Sequence, residues 1–496
     1  MTTDTLQPGP APPDAAPATT AIAAEATTGH PRRWLILFIV LAVECMDLLD
    51  GTIVNVAAPS IRADLGSSTT ALQWIVGGYA LAMAVGLVVG GRLGDLYGPR
   101  RLFVLGTVGF TVCSLLCGLA PSSGALVVLR LAQGLAAALM IPQGFGIIRA
   151  AFPTEELPKA FGLFGPVIGL SAVLGPIVGG ALVGADLFGT EWRMVFLVNL
   201  PLGLLATAGG VLVLPGSGGG AVRSLDAVGA ALVALAAGLL LYPLVQGRDA
   251  GWPAWMFAMM AASVVLLGLF GWHERRRERD GRDPLITTSI FKARAYTSGV
   301  IVLVIFFGGM IGLMLAFTLY LQLGLGFSPI HAGLSLVPQS LGMAVGAGLG
   351  GALLVPRFGR HVLHTGFVVM IAGTLALLAV VHGQGLDATT LQLAAPQLLA
   401  GIGTGLVVAP LFSFIIAGVA DAEVGSASGV LNALQQLGSA VGVAVLGTIF
   451  FSTLTGHGFV VALDHVLLVV AGALAVAALL ALLLPMRARP EDELAH

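Results

Sequence analysis

Charge is what this chain lacks most. Of its 496 residues only 10% are Asp, Glu, Lys or Arg, with a net charge of −2. A soluble domain carries about 25%, so the deficit excludes a soluble globular chain, and the near-zero balance excludes a nucleic-acid surface. Cysteine is also scarce. Cys45, Cys113 and Cys117 all fall in apolar stretches, which excludes a disulfide framework. Cys113 and Cys117 share a helix face but have no neighbouring His or acid, so they read as small core residues and no metal site is expected. No phosphate loop, nucleophile elbow or metal-ligand cluster is present, which argues against an enzyme and against any bound cofactor. The first thirty residues, rich in Ala, Pro and Thr, have neither a basic start nor an apolar h-region, so they are expected to form a disordered cytoplasmic tail rather than a signal peptide.

What fills the chain is apolar. Hydrophobic residues make up 57%, the mean hydropathy is +0.97, and the 69 glycines allow membrane helices to approach closely. A membrane span needs about 20 apolar residues. The pattern predicts fourteen: 34–58, 72–89, 102–119, 125–148, 160–183, 194–214, 227–245, 255–272, 298–321, 332–355, 363–381, 393–416, 427–451 and 466–484. With the amino terminus inside, 19 of the 23 Lys and Arg face the cytoplasm, Arg62, Arg193 and Arg248 lie outside, and Arg130 lies within the membrane. That asymmetry obeys the positive-inside rule and places both termini in the cytoplasm of a multi-pass protein of the cell membrane.

The largest break in the hydrophobic pattern, residues 275–294, carries seven cations and divides the chain. Spans one to six and nine to fourteen read as related halves. Each has a short basic turn after its second span, Gly98-Pro99-Arg100-Arg101 and Arg357-Phe358-Gly359-Arg360. Each also has a glycine-rich helix running into a proline, Gly134 to Pro142 and Gly401 to Pro410. Parallel six-span repeats with a site between them at the midplane are a recurring transporter design. The expected organisation is a tail (1–30), a six-helix bundle (31–214), an inserted two-helix hairpin with a basic loop (215–294), a second bundle (295–486) and a short cytoplasmic tail (487–496).

Within the first span stand three acids, Glu44, Asp47 and Asp50. A carboxylate at such depth costs about 2.5 to 3.5 kcal/mol even on the lenient insertion scale, so an acid there marks a functional site by default. Desolvation favours the neutral acid and a nearby arginine favours the anion, so a carboxyl alternating between these environments loads and releases a proton. Arg130 is the natural partner. At 1.5 Å per residue Asp50 lies roughly 13 Å, and Arg130 roughly 8 Å, below the outer ends of their spans, so the two can meet. The alternative is a carboxylate permanently held by backbone or by arginine in a static pair. Glu44 and Asp47 drift with Asp50 across one broad helix face, giving either an acidic stripe for cationic amphiphiles, a second proton site, or, for Glu44, a protonated packing residue. Spans nine to fourteen hold no acid in their apolar cores; their polar cavity candidates are Gln322, Gln339, Asn432, Gln435 and Gln436, which either orient substrate or join helices.

Five stretches resemble the major facilitator superfamily, and within it the fourteen-span drug:proton antiporters. Residues 49–59, from Leu49-Asp50-Gly51-Thr52 through Asn55 to Pro59, are similar to its first-span signature. Gly91-Arg92-Leu93-Gly94-Asp95-Leu96-Tyr97-Gly98-Pro99-Arg100-Arg101 is similar to the loop motif of the superfamily, with Leu96 where a basic residue is common. Arg130-Leu131-Ala132-Gln133-Gly134 with Pro142 resembles the fourth-span motif. Gly162, then Gly175-Pro176-Ile177-Val178-Gly179-Gly180, matches the antiporter motif, with Ser171 where glycine is frequent, and residues 192–201 resemble the start of span six.

The resemblance implies an all-α polytopic protein exporting amphiphilic drugs or antibiotics by alternating access. Asp50, Arg130 and Asp47 would couple protons. Glu44, Asp47, Asn55, Gln133, Gln322, Gln339, Asn432 and Gln436 would meet substrate. Gly91, Asp95, Gly98, Arg100 and Arg101 would form a conformational latch, the acid facing the start of span thirteen. The glycine-proline segment reads as a hinge and packing seam. The expected partners are a small amphiphilic molecule, protons and the bilayer, with no nucleic acid and a monomeric chain. The alternatives are a dedicated exporter of one endogenous metabolite, and a membrane sensor or scaffold that transports nothing.

Overall fold

The computed structural model describes residues 30–153, 156, 160, 163–186, 189–215, 226–282, 284–286, 288–416, 419 and 424–486. The two terminal tails and Gly162 lie outside the described residues. No strand occurs among those described, as expected where lipid cannot satisfy backbone groups and each segment must pair its own. The helices are α1 (Arg33–Leu65), α2 (Thr69–Tyr97), α3 (Pro99–Gly118), α4 (Ser123–Ala151), α5 (Phe164–Ala185) and α6 (Glu191–Leu212). They continue with α7 (Ala227–Ala250), α8 (Ala254–Arg279), α9 (Arg294–Gly324), α10 (Pro329–Leu349), α11 (His361–Gln384), α12 (Thr390–Ile416) and α13 (Val424–Leu480).

Eleven stretches among the described residues are long and apolar enough to cross a membrane. The last of these, Gly429–Leu483, contains two of the predicted spans in one helical run. The run turns at Gly458, whose φ of 82° and ψ of 176° suit only a residue without a Cβ. Two helices therefore abut at Gly458, without the longer loop that the gap between the predicted spans suggests.

Within the first half α2 packs on α4, α4 on α3, and α1 on α5; within the second α9 packs on α13, and α12 on both α10 and α11. The halves meet through α2 against α13 and α5 against α10. The hairpin of α7 and α8 leans by α7 on the α2–α13 seam, through Leu81, Ala237, Leu241, Ala440 and Ala444.

The repeat read from sequence has a structural meaning in both places. A Cβ on Gly134 would lie 2.4 Å from the Tyr79 carbonyl oxygen, and one on Gly401 would lie 2.1 Å from that of Gln339. In each half this glycine lets the fourth helix touch the backbone of the second. Gly98 and Gly359 in the basic turns both have positive φ, 95° and 54°. The arginine that follows each then reaches the last helix of its own half: Arg100 Nη2 donates to the Val211 carbonyl at 2.5 Å, and Arg360 Nη1 donates to those of Leu482 and Leu484 at 2.7 and 2.5 Å. Cations satisfy unpaired helix-end carbonyls and complement the dipole. Replacing Arg360 by Ala should cost about 1.5–3 kcal/mol, the range for charged hydrogen bonds, read as a lower melting temperature in detergent with substrate affinity unchanged.

Candidate functional site

α1 carries the acids inward. Asp50 is fully buried and Arg130 of α4 is 1% exposed, and their side chains meet at 2.5 Å, Nη1 to Oδ2. Gln133, one turn along α4, donates Nε2 to Asp50 Oδ1 at 3.1 Å and accepts from Arg130 Nη1 at 2.9 Å. Asn199 of α6 donates Nδ2 to the same Oδ1 at 2.9 Å and to Ser114 Oγ of α3 at 3.0 Å. Arg130 Nε donates to the Ile75 carbonyl of α2 at 3.1 Å, and its guanidinium lies 4.2 Å from the centre of the Tyr79 ring. Asp50 thus accepts from three side chains on two helices, a charge-assisted set that suits a carboxylate anion.

One turn toward the basic end of α1, Asp47 accepts from the Tyr79 hydroxyl, so Tyr79 links Asp47 to Arg130 through its hydroxyl and its ring face. Glu44, a further turn along, is half-buried and makes no hydrogen bond or ion pair with described residues. Asn55 donates to the Gly51 carbonyl within its own helix, leaving a buried Oδ1 without a partner.

The other sequence candidates divide. Gln322 of α9 donates to the Val56 carbonyl of α1 at 2.8 Å and so ties the two halves together. Gln436 of α13 lies 2.7 Å from Met83 Sδ of α2, again across the halves. Gln339, Asn432 and Gln435 are half-buried. Gln73, which sequence reasoning passed over, donates to the Ala444 carbonyl at 3.2 Å. Gln73, Val56 and Gln322 lie toward the end of the bundle that carries the turn at residues 66–68, opposite the basic turns. Changing Gln322 to Leu should remove one interbundle hydrogen bond, about 0.5–1.5 kcal/mol; a change in transport rate of about two- to tenfold, with unaltered melting temperature, would check it.

The antiporter-motif glycines pack on both sides. A Cβ on Gly175 would lie 2.1 Å from Thr52 Oγ1, and one on Gly179 3.3 Å from Ile53 Cα, both on α1. Gly180 abuts the second half, 2.5 Å from the Pro329 carbonyl oxygen, and Gly333 of α10 answers with an approach of 2.2 Å to that of Pro176. In the loop motif Gly91 has open space around it, Gly98 turns the chain, Arg100 caps α6 and Arg101 is exposed. The Asp95 side chain and those of 424–426 lie outside the described residues.

Besides Gln73, sequence reasoning missed Asn199, Ser114, Tyr79 and Gln397. Asn199 had a signal, since it stands inside the stretch resembling the start of span six. Gln397 stands four residues before Gly401 as Arg130 stands four before Gly134, is 2% exposed, and has neither amide atom hydrogen-bonded. The repeat itself could have found it.

The start of α6 is tied down from α1. Trp192 Nε1 and Arg193 Nη1 donate to Asp64 Oδ2 at 2.9 and 2.6 Å, and these donors hold the Asp64 carboxyl below the usual carboxylate range. Away from this cluster, ligand atoms of Asp226, His273 and Glu274 lie within 4.8 Å of one another, close enough to hold a metal. Asp226 is already engaged by His273 at 3.0 Å and by Arg277 at 3.4 Å, and the latter cation competes with any metal.

Comparison with known proteins bears on the whole arrangement. The sequence profile described as Major Facilitator Superfamily matches residues 40–443. A probable actinorhodin transporter of Streptomyces coelicolor is 52% identical over 426 residues, 86% of this chain and 74% of that protein. The puromycin resistance protein pur8 of Streptomyces alboniger is 35% identical, covering 84% and 82%. The tetracenomycin C resistance and export protein of Streptomyces glaucescens is 34% identical, covering 85% and 76%. Among solved structures, an auto-inhibited POT family peptide transporter superposes with a TM-score of 0.67 at 16% identity, over 91% of this chain and 96% of that one. A bacterial homologue of the lysosomal transporter Spinster, inward-facing and unoccupied, superposes at 0.65 and 16%, over 91% and 96%.

Proposed function

Because the chain belongs to the major facilitator superfamily and is a multi-pass membrane transporter rather than an enzyme, we propose that it exports antibiotic-like amphiphiles in exchange for protons. The observation that carries this reading is the Asp50 cluster. Every contact to that carboxylate comes from a donor, Oδ1 being held from both α4 and α6 and Oδ2 by Arg130, so a proton that removes the charge weakens all three contacts at once. Protonation is thereby coupled to how firmly α1 is held against α4 and α6. A carrier needs that coupling if an inward proton is to drive outward substrate, the membrane potential contributing about 2.3 kcal/mol per charge per 100 mV.

Export of antibiotics is supported by the names of the relatives, which include both resistance and export proteins. Half-buried Glu44, which makes no hydrogen bond or ion pair among the described residues, and the buried Gln397 provide one ionisable and one neutral group for substrate. The basic turns face the cytoplasm in this reading, so the seam of Gly180, Gly333, Gln73 and Gln322 closes the outer end. The chain works as a monomer in the cytoplasmic membrane with both termini inside. A second, narrower reading, export of a single endogenous metabolite or antibiotic, is favoured by the 52% identity to a probable actinorhodin transporter.

Efflux from proteoliposomes under an imposed pH gradient tests the proposal. A lipophilic cation and actinorhodin are compared as substrates. Gradient-driven transport of both supports the broad reading, actinorhodin alone the narrow one, and neither substrate moving rejects both. In the same assay Glu44→Gln should raise KM for the cation about tenfold, equivalent to about 1.4 kcal/mol, and leave that for actinorhodin unchanged. Equal loss for both substrates would show that Glu44 does not read charge.

A further inference from the structure

An apolar crevice of about 430 Å³ separates the inserted hairpin from both bundles. Its walls come from five helices: Ala84 of α2, Leu240 of α7, Leu267 of α8, Val300 of α9, and Leu434 and Leu437 of α13. Along α8 it runs from Ser263 to Glu274, about 16 Å at 1.5 Å per residue. At its basic end it meets a second cavity of about 580 Å³, lined by Arg275, Arg279 and Lys292 together with Glu278, Thr288 and Phe291. Arg275, Thr288 and Phe291 line both, so the two are continuous.

The charges in the mouth are unequally engaged. Glu278 accepts from the Thr288 amide and hydroxyl at 2.5 and 2.6 Å. Arg275, Arg279 and Lys292 are exposed, and no ion pair or side-chain hydrogen bond is made by any of them among the described residues. Three cations against one occupied carboxylate, set above a slot that is apolar except for Glu274 at its head, whose Oε2 accepts from the Ile286 amide, complement a molecule with an anionic head and a long apolar tail. The outer face of α8, with Val264 at 68% and Val265 at 61% exposed, is already a lipid-facing surface.

We propose that an anionic phospholipid binds here, its phosphate on Arg275, Arg279 and Lys292 and one acyl chain in the crevice. Basic pockets between membrane helices on the cytoplasmic side recognise anionic headgroups by the same charge pairing. The lipid would fill the joint between the hairpin and the α2–α13 seam, so it bears on the packing of the halves.

Native mass spectrometry of the full-length protein, extracted from vesicles of equal phosphatidylglycerol and phosphatidylcholine with identical chains, tests this. Wild type should retain phosphatidylglycerol at least about tenfold over phosphatidylcholine. The variant Arg275→Ser/Arg279→Ser/Lys292→Ser, altered only at exposed positions, should lose the preference. Gly271→Trp should lose retention of both lipids: Gly271 lines the crevice, and a Cβ there meets no atom within 4 Å, so the ring enters void rather than protein. Gly271→Leu repeats the test with a smaller side chain. Equal retention of the two lipids by wild type, or a preference that survives in the charge variant, overturns the proposal. Displacement of the lipid by glycerol phosphate alone overturns the acyl-chain part, and displacement by an exported compound reassigns the crevice to substrate.

Discussion

Asp50→Asn should abolish gradient-driven transport and destabilise the fold, and a second substitution should separate the two effects. Asparagine cannot carry the charge that Arg130 faces at 2.5 Å in a site excluded from water. Breaking a buried pair by removing one partner costs about 3–5 kcal/mol, because the remaining ion is left uncompensated, whereas replacing both partners with apolar groups of similar size is often neutral. The double variant Asp50→Asn/Arg130→Met therefore should recover most of the lost melting temperature while transport stays at background. Substrate binding, measured by equilibrium titration in detergent, should persist in the double variant, because the acid moves protons rather than holding cargo. Recovery of gradient-driven efflux in the double variant would show that the pair is structural and that coupling resides elsewhere, with Asp47 the next candidate.

The second large effect is expected at the seam between the halves. Gly180→Leu places a Cβ 2.5 Å from the Pro329 carbonyl oxygen and 2.9 Å from Ile330 Cα. Both are backbone atoms, so no side-chain rotation relieves the clash. Overpacking typically costs about 1–3 kcal/mol, which at about 1.4 kcal/mol per decade disfavours closure of this end by roughly 5- to 100-fold. The clash is confined to the contact of α5 with α10, so the variant should fold but turn over slowly. Spin labels on the exposed residues Ala63 and Gln384, introduced after replacement of the three native cysteines, would report the separation of the halves. The short distance should dominate in wild type and a longer one in the variant. An unchanged distance distribution with normal transport would rule out this seam as a moving contact.

How much was legible in advance differs between these two sites. Asp50 and Arg130 stood out because a charge in an apolar run is expensive, and their depths, counted at a fixed rise per residue, matched. The glycine-proline segment stood out by motif, yet only the fold shows that Gly175 and Gly179 face α1 while Gly180 faces α10. From sequence Gln322 and Gln436 could either orient substrate or join helices; one holds a carbonyl and the other a sulfur across the halves. The uncharged amides gave no directional signal, because an amide pays a smaller desolvation cost than an ion and tolerates many surroundings.

By itself the sequence determined the class of the protein, its all-helical build and the charges buried within the first and fourth spans, while the buried Asp226, Glu274 and Asp464 went unnoticed. Hydropathy, period and the cost of an ion in lipid are local quantities, summed along the chain. The partners of those charges were decided only in three dimensions. Asn199 reaches Asp50 from 149 residues away, and Gln322 reaches Val56 from 266. Arg360 caps a helix end more than a hundred residues distant. Such contacts depend on which helix faces turn toward one another, and packing between helices sets those rotations.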